Sequence, residues 1–433
     1  MGHHLTSDRD YRLLRERLDR MPTGAPDHPA LLKILRLLFS PDDAKFAWRI
    51  PGSPTTLEVL ARKLKVPPPE LDARLTDMAR RGLVLDMEHG GTRYFMLPPV
   101  VIGFFEFTFM RARPDIPQRE LAKLFDEYMR QDDRFARAVF QGPTQVGRTL
   151  VREETLPDGD HAEILDWERT SRIVESASRV AVSLCSCRHK ASHLGKACAR
   201  PQETCLSLNY AADSLIRNGM AREITQSAAL KIVEDAKGAG MMQIGDNVQR
   251  RMTYICNCCG CCCGMIEAIK TFDIRNAVVT SNWIMEVDLA KCHGCGKCVA
   301  ACPVGAIRLD EKREGRKRRR WAVVDGGLCL GCGVCPTSCK YGGAVMRPRP
   351  RRVYTPETVF DKVVAMSIER GKLADLLFSD PDKLTHRMLG RVVGVLEKTP
   401  VFKAALAVAP LKSAFLSALV AGAKAQSGDF GAA

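Results

Sequence analysis

Eighteen cysteines lie between Cys185 and Cys339 of a 433-residue chain, and none falls outside that span. They come in tight runs. The densest is Cys256-Asn-Cys258-Cys259-Gly260-Cys261-Cys262-Cys263, six thiols in eight residues. Neighbours this close rarely bridge each other, because a disulfide needs a particular Cβ separation and dihedral. A secreted disulfide protein would spread its cysteines through every domain. Left without metal, such a run would oxidise and cross-link. Thiolate ligation of metal is the chemistry these residues suit.

Eight of the cysteines repeat one spacing. Cys292-His-Gly-Cys295-Gly-Lys-Cys298-Val-Ala-Ala-Cys302-Pro303 is a C-x2-C-x2-C-x3-C-P run, and Cys329, Cys332, Cys335 and Cys339 follow the same intervals. Three cysteines at x2 intervals can wrap one loop around three irons of a cage, and a fourth ligand then comes from elsewhere in the chain. C-x2-C pairs also bind zinc, but two sets of four with three residues before the last cysteine are unusual for it. Residues 283–346 resemble the bacterial two-cluster ferredoxins. The resemblance implies two 4Fe–4S clusters, with the fourth cysteine of each run serving the other cluster. Carried over, Cys292, Cys295, Cys298 and Cys339 hold one cluster, and Cys329, Cys332, Cys335 and Cys302 hold the second. It also implies low potentials, on the order of −400 mV. Gly294, Gly296, Gly331 and Gly333 let the loops turn and bring N–H groups towards sulfur. The chain departs from the family pattern in two ways. Lys340, not proline, follows Cys339, and Glu311–Arg320 lengthens the link between the halves.

The other ten cysteines form two groups: Cys185, Cys187, Cys198 and Cys205, then Cys256, Cys258, Cys259, Cys261, Cys262 and Cys263. Adjacent cysteines point in different directions, so Cys258 and Cys259 are expected to serve different clusters. The expectation is one or two additional iron–sulfur clusters. A zinc site and a redox dithiol are the other readings. The Cys258-Cys259-Gly260 element resembles the paired-cysteine loops of heterodisulfide reductase subunits, which hold unusual clusters. Arg188 and His189 either donate to cluster sulfurs, shuttle a proton, or belong to a solvated loop.

The surrounding segments read as an α+β, multidomain chain. Residues 1–29 are a short helix and linker. Residues 30–100 show helical apolar spacing at Leu31, Leu32, Ile34, Leu35 and Leu38, then at Leu57, Leu60, Ala61 and Leu64, with Thr55 or Thr56 as cap. Val66-Pro67-Pro68-Pro69 breaks the pattern, and a third helix is predicted over Glu70–Arg81, ended by Gly82. Two strands then flank Glu88-His-Gly-Gly. This pattern resembles the bacterial winged helix–turn–helix regulators. Residues 101–180 read as a helical connector with a core-forming aromatic segment, and 181–282 as a cysteine-rich α/β middle domain. Residues 283–348 are the two-cluster ferredoxin-like domain, and 349–433 a helical C-terminus.

The net charge of +15 concentrates near the clusters. Seven of the nine residues from Lys312 to Arg320 are basic, and Arg347, Arg349, Arg351 and Arg352 add to them. Such runs suit an acidic protein face, phosphates or a membrane surface, and an acidic redox partner is the favoured reading. DNA is less favoured. The third helix sets Arg74, Arg80 and Arg81 against Glu70, Asp72 and Asp77, whereas DNA readers depend on cationic phosphate contacts. No Walker loop, dinucleotide fingerprint or nucleophile elbow is present. The N-terminus lacks the apolar core of a signal peptide, and no window is long enough for a membrane span, the nearest being Ala404–Ala423. The expectation is a cytoplasmic electron-transfer protein. The alternatives are a redox-sensing winged-helix regulator and a cluster-based reductase of a small substrate, so enzymatic activity stays open.

Overall fold

The computed structural model describes residues 2–156, 166–314 and 317–378. The helices expected beyond residue 378, the apolar window at 404–423 and part of the 101–180 connector lie outside them. The chain divides into two compact units. One comprises residues 1–144, 213–220 and 359–433, and the other 145–212 and 221–358.

In the first unit, the helix Gly2–Asp19 buries Tyr11, Leu14 and Leu18. The helix Pro29–Leu38 buries Leu31, Ile34, Leu35 and Leu38 of the expected stripe, and Leu32 is half-buried. Ser40 and Asp43 form a reciprocal capping box at the start of Pro41–Ala47. Thr56 caps Leu57–Leu64, its Oγ1 accepting from the Val59 N–H. The next helix runs Pro68–Arg80, two residues earlier than the proline run suggests. Pro68 and Pro69 occupy its first turn, where a missing N–H costs nothing. Leu85–His89 and Thr92–Met96 pair around Gly90-Gly91, and Thr55–Thr56 completes a three-stranded antiparallel sheet with Thr92–Met96 at its centre. The aromatic segment is core: Phe104, Phe105, Phe107 and Phe109 are buried, with Phe104 edge-on to Phe39 and Phe105 to Phe125.

Asp86 organises this unit. It is 1% exposed and accepts from Ser214 Oγ at 3.0 Å, Arg217 Nε at 2.7 Å and Asn218 Nδ2 at 2.6 Å. A buried carboxylate is tolerable only with its lone pairs met and a cation beside it.

The second unit is built on a six-stranded sheet. Its order is Gly147–Leu150, Met242–Asp246, Tyr254–Cys258, Glu203–Leu208, Val180–Leu184 and Arg222–Glu223. Every strand pair is antiparallel, so the cysteine-rich region lacks the parallel crossovers of an α/β domain. The link from Asp246 to Tyr254 is too short for a crossover helix. The stretch 101–180, expected to be helical, also supplies the strand Gly147–Leu150. Two ribbons follow. Trp283–Val287 pairs with Ala344–Pro348, and Ile307–Glu314 with Lys317–Val324. The basic stretch between the two ferredoxin-type halves is therefore a hairpin. No helix among the described residues is long and apolar enough to cross a membrane.

Replacing Asp86 with Ala strips three donors and leaves Arg217 without its closest carboxylate. The expected loss is about 3–5 kcal/mol, read as a lower urea midpoint for the first unit.

Candidate metal centres

All eighteen cysteines are free thiols in the structure. They gather in the second unit in distinct groups.

Cys292, Cys295 and Cys298 share one cavity with Cys339. Met285, Val287, Leu309, Ala322 and Ala344 form its apolar wall. The Ala322 N–H points at Cys292 Sγ, 3.5 Å away. Burial would raise the Cys339 pKa, but the N–H groups of Tyr341, Ala344, Gly343 and Gly342 hold it below its ordinary value. The residues after Lys340 thus turn their amides onto the sulfur, although the family's proline is missing. Cys329, Cys332 and Cys335 are buried, with Cys302 near enough to act on Cys332 and Cys335 electrostatically. Burial pushes Cys332 up to about 12 and Cys335 up as well. The Ala306 N–H lies 3.2 Å from Cys302 Sγ. Both loops need glycine. A Cβ at Gly331 (φ +70°) would stand 2.0 Å from the Trp283 carbonyl oxygen, and one at Gly294 (φ +61°) 2.4 Å from that of Arg320.

Two arginines, the buried Arg152 and the half-buried Arg349, flank the second of these sets. Arg152 donates to Thr337 Oγ1 at 2.8 Å and to the carbonyls of Lys237 and Met241 at 2.9 Å, while its own N–H reaches the Cys332 carbonyl. Arg349 donates to the carbonyls of Cys329 and Ser281. Burial lowers the pKa of both, and nearby thiols oppose that fall. Nothing in the spacing pattern pointed to Arg152, which lies far upstream in the chain.

The ten remaining cysteines separate into six and four, mixing the two sequence groups. Six sit where the sheet meets two helix starts. Cys205 lies directly opposite Cys256 in the ladder, and Cys258 shares the face of Cys256 by the two-residue period. Cys185 is the N-cap of the helix Ser186–His193, which carries Cys187 in its first turn, and Cys263 is the N-cap of Gly264–Phe272. Helix N-termini favour thiolate there. Cys258 and Cys263 are 3.5 Å apart. Thiol donation from Cys187 and Cys258 holds Cys263 well below its usual range, and donation from Cys205 and Cys258 does the same for Cys256. Burial pushes Cys185 up to about 12.

The other four are Cys198, Cys259, Cys261 and Cys262, whose sulfurs all lie within 4.8 Å of one another. Cys258 and Cys259 do turn to different groups, as alternation requires. Arg188 stands between them, fully buried. It donates to the carbonyls of Pro201 and Asn257 and to Thr204 Oγ1, and its Nη1 is 3.9 Å from Cys259 Sγ. Burial opposes its charge, yet the thiols of Cys185 and Cys259 hold its pKa above the ordinary value. It is no solvated-loop residue. His189 packs its ring against His193 instead.

Residues 291–343 match the 4Fe-4S dicluster domain family. No curated protein and no solved structure matches the chain significantly. The chain therefore carries a 4Fe–4S domain together with a separate cysteine-rich cluster. Its thiols, amide-to-sulfur contacts and glycine turns fit such clusters.

A cation beside a cluster favours the more negative reduced form. Arg152→Gln should therefore lower the potential of a cluster held beside it by tens of millivolts. Potentiometric EPR titration reads the shift, and the other couple should stay in place.

Proposed function

We propose that this chain is an electron-transfer protein that takes electrons at its dicluster domain and passes them to the ten-cysteine region, and from there to a partner. Cys292, Cys295, Cys298 and Cys339 hold one cluster, and Cys302, Cys329, Cys332 and Cys335 the other. The group Cys185, Cys187, Cys205, Cys256, Cys258 and Cys263 holds a further iron–sulfur centre. Bound there, such centres supply one-electron redox chemistry.

One observation carries the relay. A Cβ at Gly260 would stand 2.5 Å from the Pro303 carbonyl oxygen. The loop that joins Cys259 to Cys261 thus lies against the residue after Cys302. Backbone touches backbone, and the two cysteine-bearing regions are in direct contact without intervening side chains.

The basic hairpin supports an acidic partner. Lys312 lies opposite Arg319, and Arg313 opposite Arg318. Glu311 answers Arg318 across the hairpin, but like charges directly across a ladder destabilise a hairpin, and such a surface suits a partner of opposite charge. The Arg320 carbonyl also crowds Gly294, which sets the hairpin on the Cys292 loop. A partner docked here is close to the first cluster.

We read residues 30–100 as a winged-helix module that packs or contacts protein. The helix–strand order and the three-stranded sheet support that reading. Three of its arginines are engaged internally, while Arg62 and Arg80 are exposed. Arg74 lies over the Phe46 ring and donates to the Asp42 carbonyl, Arg81 pairs with Asp43 and Asp77, and Arg93 with Asp72 and Asp86. Phosphate contacts would have to compete with these pairs.

Two experiments test the proposal. Reduced through an acidic donor such as a flavodoxin, Cys263→Ser should keep the ferredoxin-type EPR signals but abolish electron delivery to the ten-cysteine region, read as loss of the additional EPR signal. An unchanged spectrum would remove the ten-cysteine region from the path. In a low-salt gel shift, the protein should leave duplex DNA unretarded in both redox states. A redox-dependent shift would favour the regulator.

A further inference from the structure

The quartet Cys198, Cys259, Cys261 and Cys262 is drawn in more tightly than a cubane allows. In a cubane each thiolate sits on its own iron, so an iron–iron edge adds to every sulfur–sulfur separation. Around one tetrahedral ion, with metal–sulfur bonds of about 2.3 Å, the sulfurs stand about 3.8 Å apart. Here Cys198 Sγ and Cys259 Sγ are 3.8 Å apart, Cys261 Sγ and Cys262 Sγ 3.9 Å, and all four lie within 4.8 Å of one another. Among the described residues, none of the eight ferredoxin-type cysteines belongs to so close a group.

We propose that these four cysteines form a mononuclear tetrahedral site that holds zinc, distinct from every iron–sulfur centre of the chain. Four thiolates fill the tetrahedron and leave no open position, the mark of a structural site. The site goes beyond the electron-transfer reading and does not depend on it.

The charge around the site agrees. Zinc with four thiolates carries a net double negative charge, which favours N–H donors and cations in its surroundings. Arg188 Nη1 is 3.9 Å from Cys259 Sγ and Arg200 Nη1 is 3.8 Å from Cys261 Sγ. Among the described residues, no carboxylate pairs with the fully buried Arg188. Its compensating charge has to come from sulfur. The N–H groups of Cys261 and Cys262 also turn towards Cys259 Sγ. Ala191 packs against Cys259 and Cys262 and closes the inner side.

Three ligands come from one tight loop and the fourth from the segment after the helix Ser186–His193. The ion would clamp these two segments together. It would also fix the loop whose Gly260 touches Pro303. Its role is positional, and no electron passes through zinc.

The test uses the full chain, expressed with iron and zinc both supplied and purified anaerobically. Elemental analysis should find about one zinc per chain. Its zinc K-edge spectrum should fit four sulfurs at about 2.3 Å with no metal–metal scatterer. Cys261→Ser, at the exposed ligand, should lose most of the zinc while iron, sulfide and the EPR signals stay unchanged. Arg200→Gln keeps all four ligands and guards against a folding defect. It should retain zinc but release it several-fold faster to a chromophoric chelator. Less than about a tenth of a zinc per chain would overturn the assignment, as would loss of roughly four irons and four sulfides in Cys261→Ser. Nitrogen or oxygen in the zinc shell in place of the four sulfurs would overturn it too.

Discussion

Buried negative charge on sulfur is the constraint the second unit is built around. A thiol ligates metal only as thiolate, and an uncompensated buried anion is costly. The structure meets that cost locally at each group. Amides of residues 341–344 turn onto Cys339, and two helix N-termini open at Cys185 and Cys263. Arginines stand by two of the sets: Arg152 and Arg349 near Cys329 and Cys332, Arg188 and Arg200 near Cys259 and Cys261. Remove the thiolates, and Arg188 becomes a buried cation with nothing to answer it.

This pattern explains why the fold places cysteines where it does. The antiparallel ladder sets Cys205 against Cys256 and lets the strand deliver Cys258 to the same face. The chain then leaves the strand, so Cys259 turns away to a second group. Gly260 permits the contact with Pro303, and Cys263 returns to the first group as a helix cap. One eight-residue segment therefore serves two cysteine groups and the junction with the dicluster domain.

Much of this was legible in the residues themselves. The repeated spacing identified the dicluster domain, and helical periodicity located the buried stripes of the first unit. Proline led the boundary of Pro68–Arg80 astray, because a proline in the first turn starts a helix as readily as it ends one. The cysteine-rich region was harder. Its count and its need for metal were plain, but the division into six and four depends on strand pairings between residues some fifty positions apart. The arginines were harder still. Arg152 and Arg200 look like ordinary surface residues until the chain folds back on itself.

The central claim is that the ten-cysteine region, which touches the dicluster domain, holds a further redox centre. The most direct measurement is iron and acid-labile sulfide analysis of anaerobically purified protein, combined with low-temperature EPR at full reduction. The account predicts clearly more than about eight irons per chain, with spectra broadened by magnetic coupling to a third centre. About eight irons, with the spectrum of a simple two-cluster ferredoxin, would contradict it.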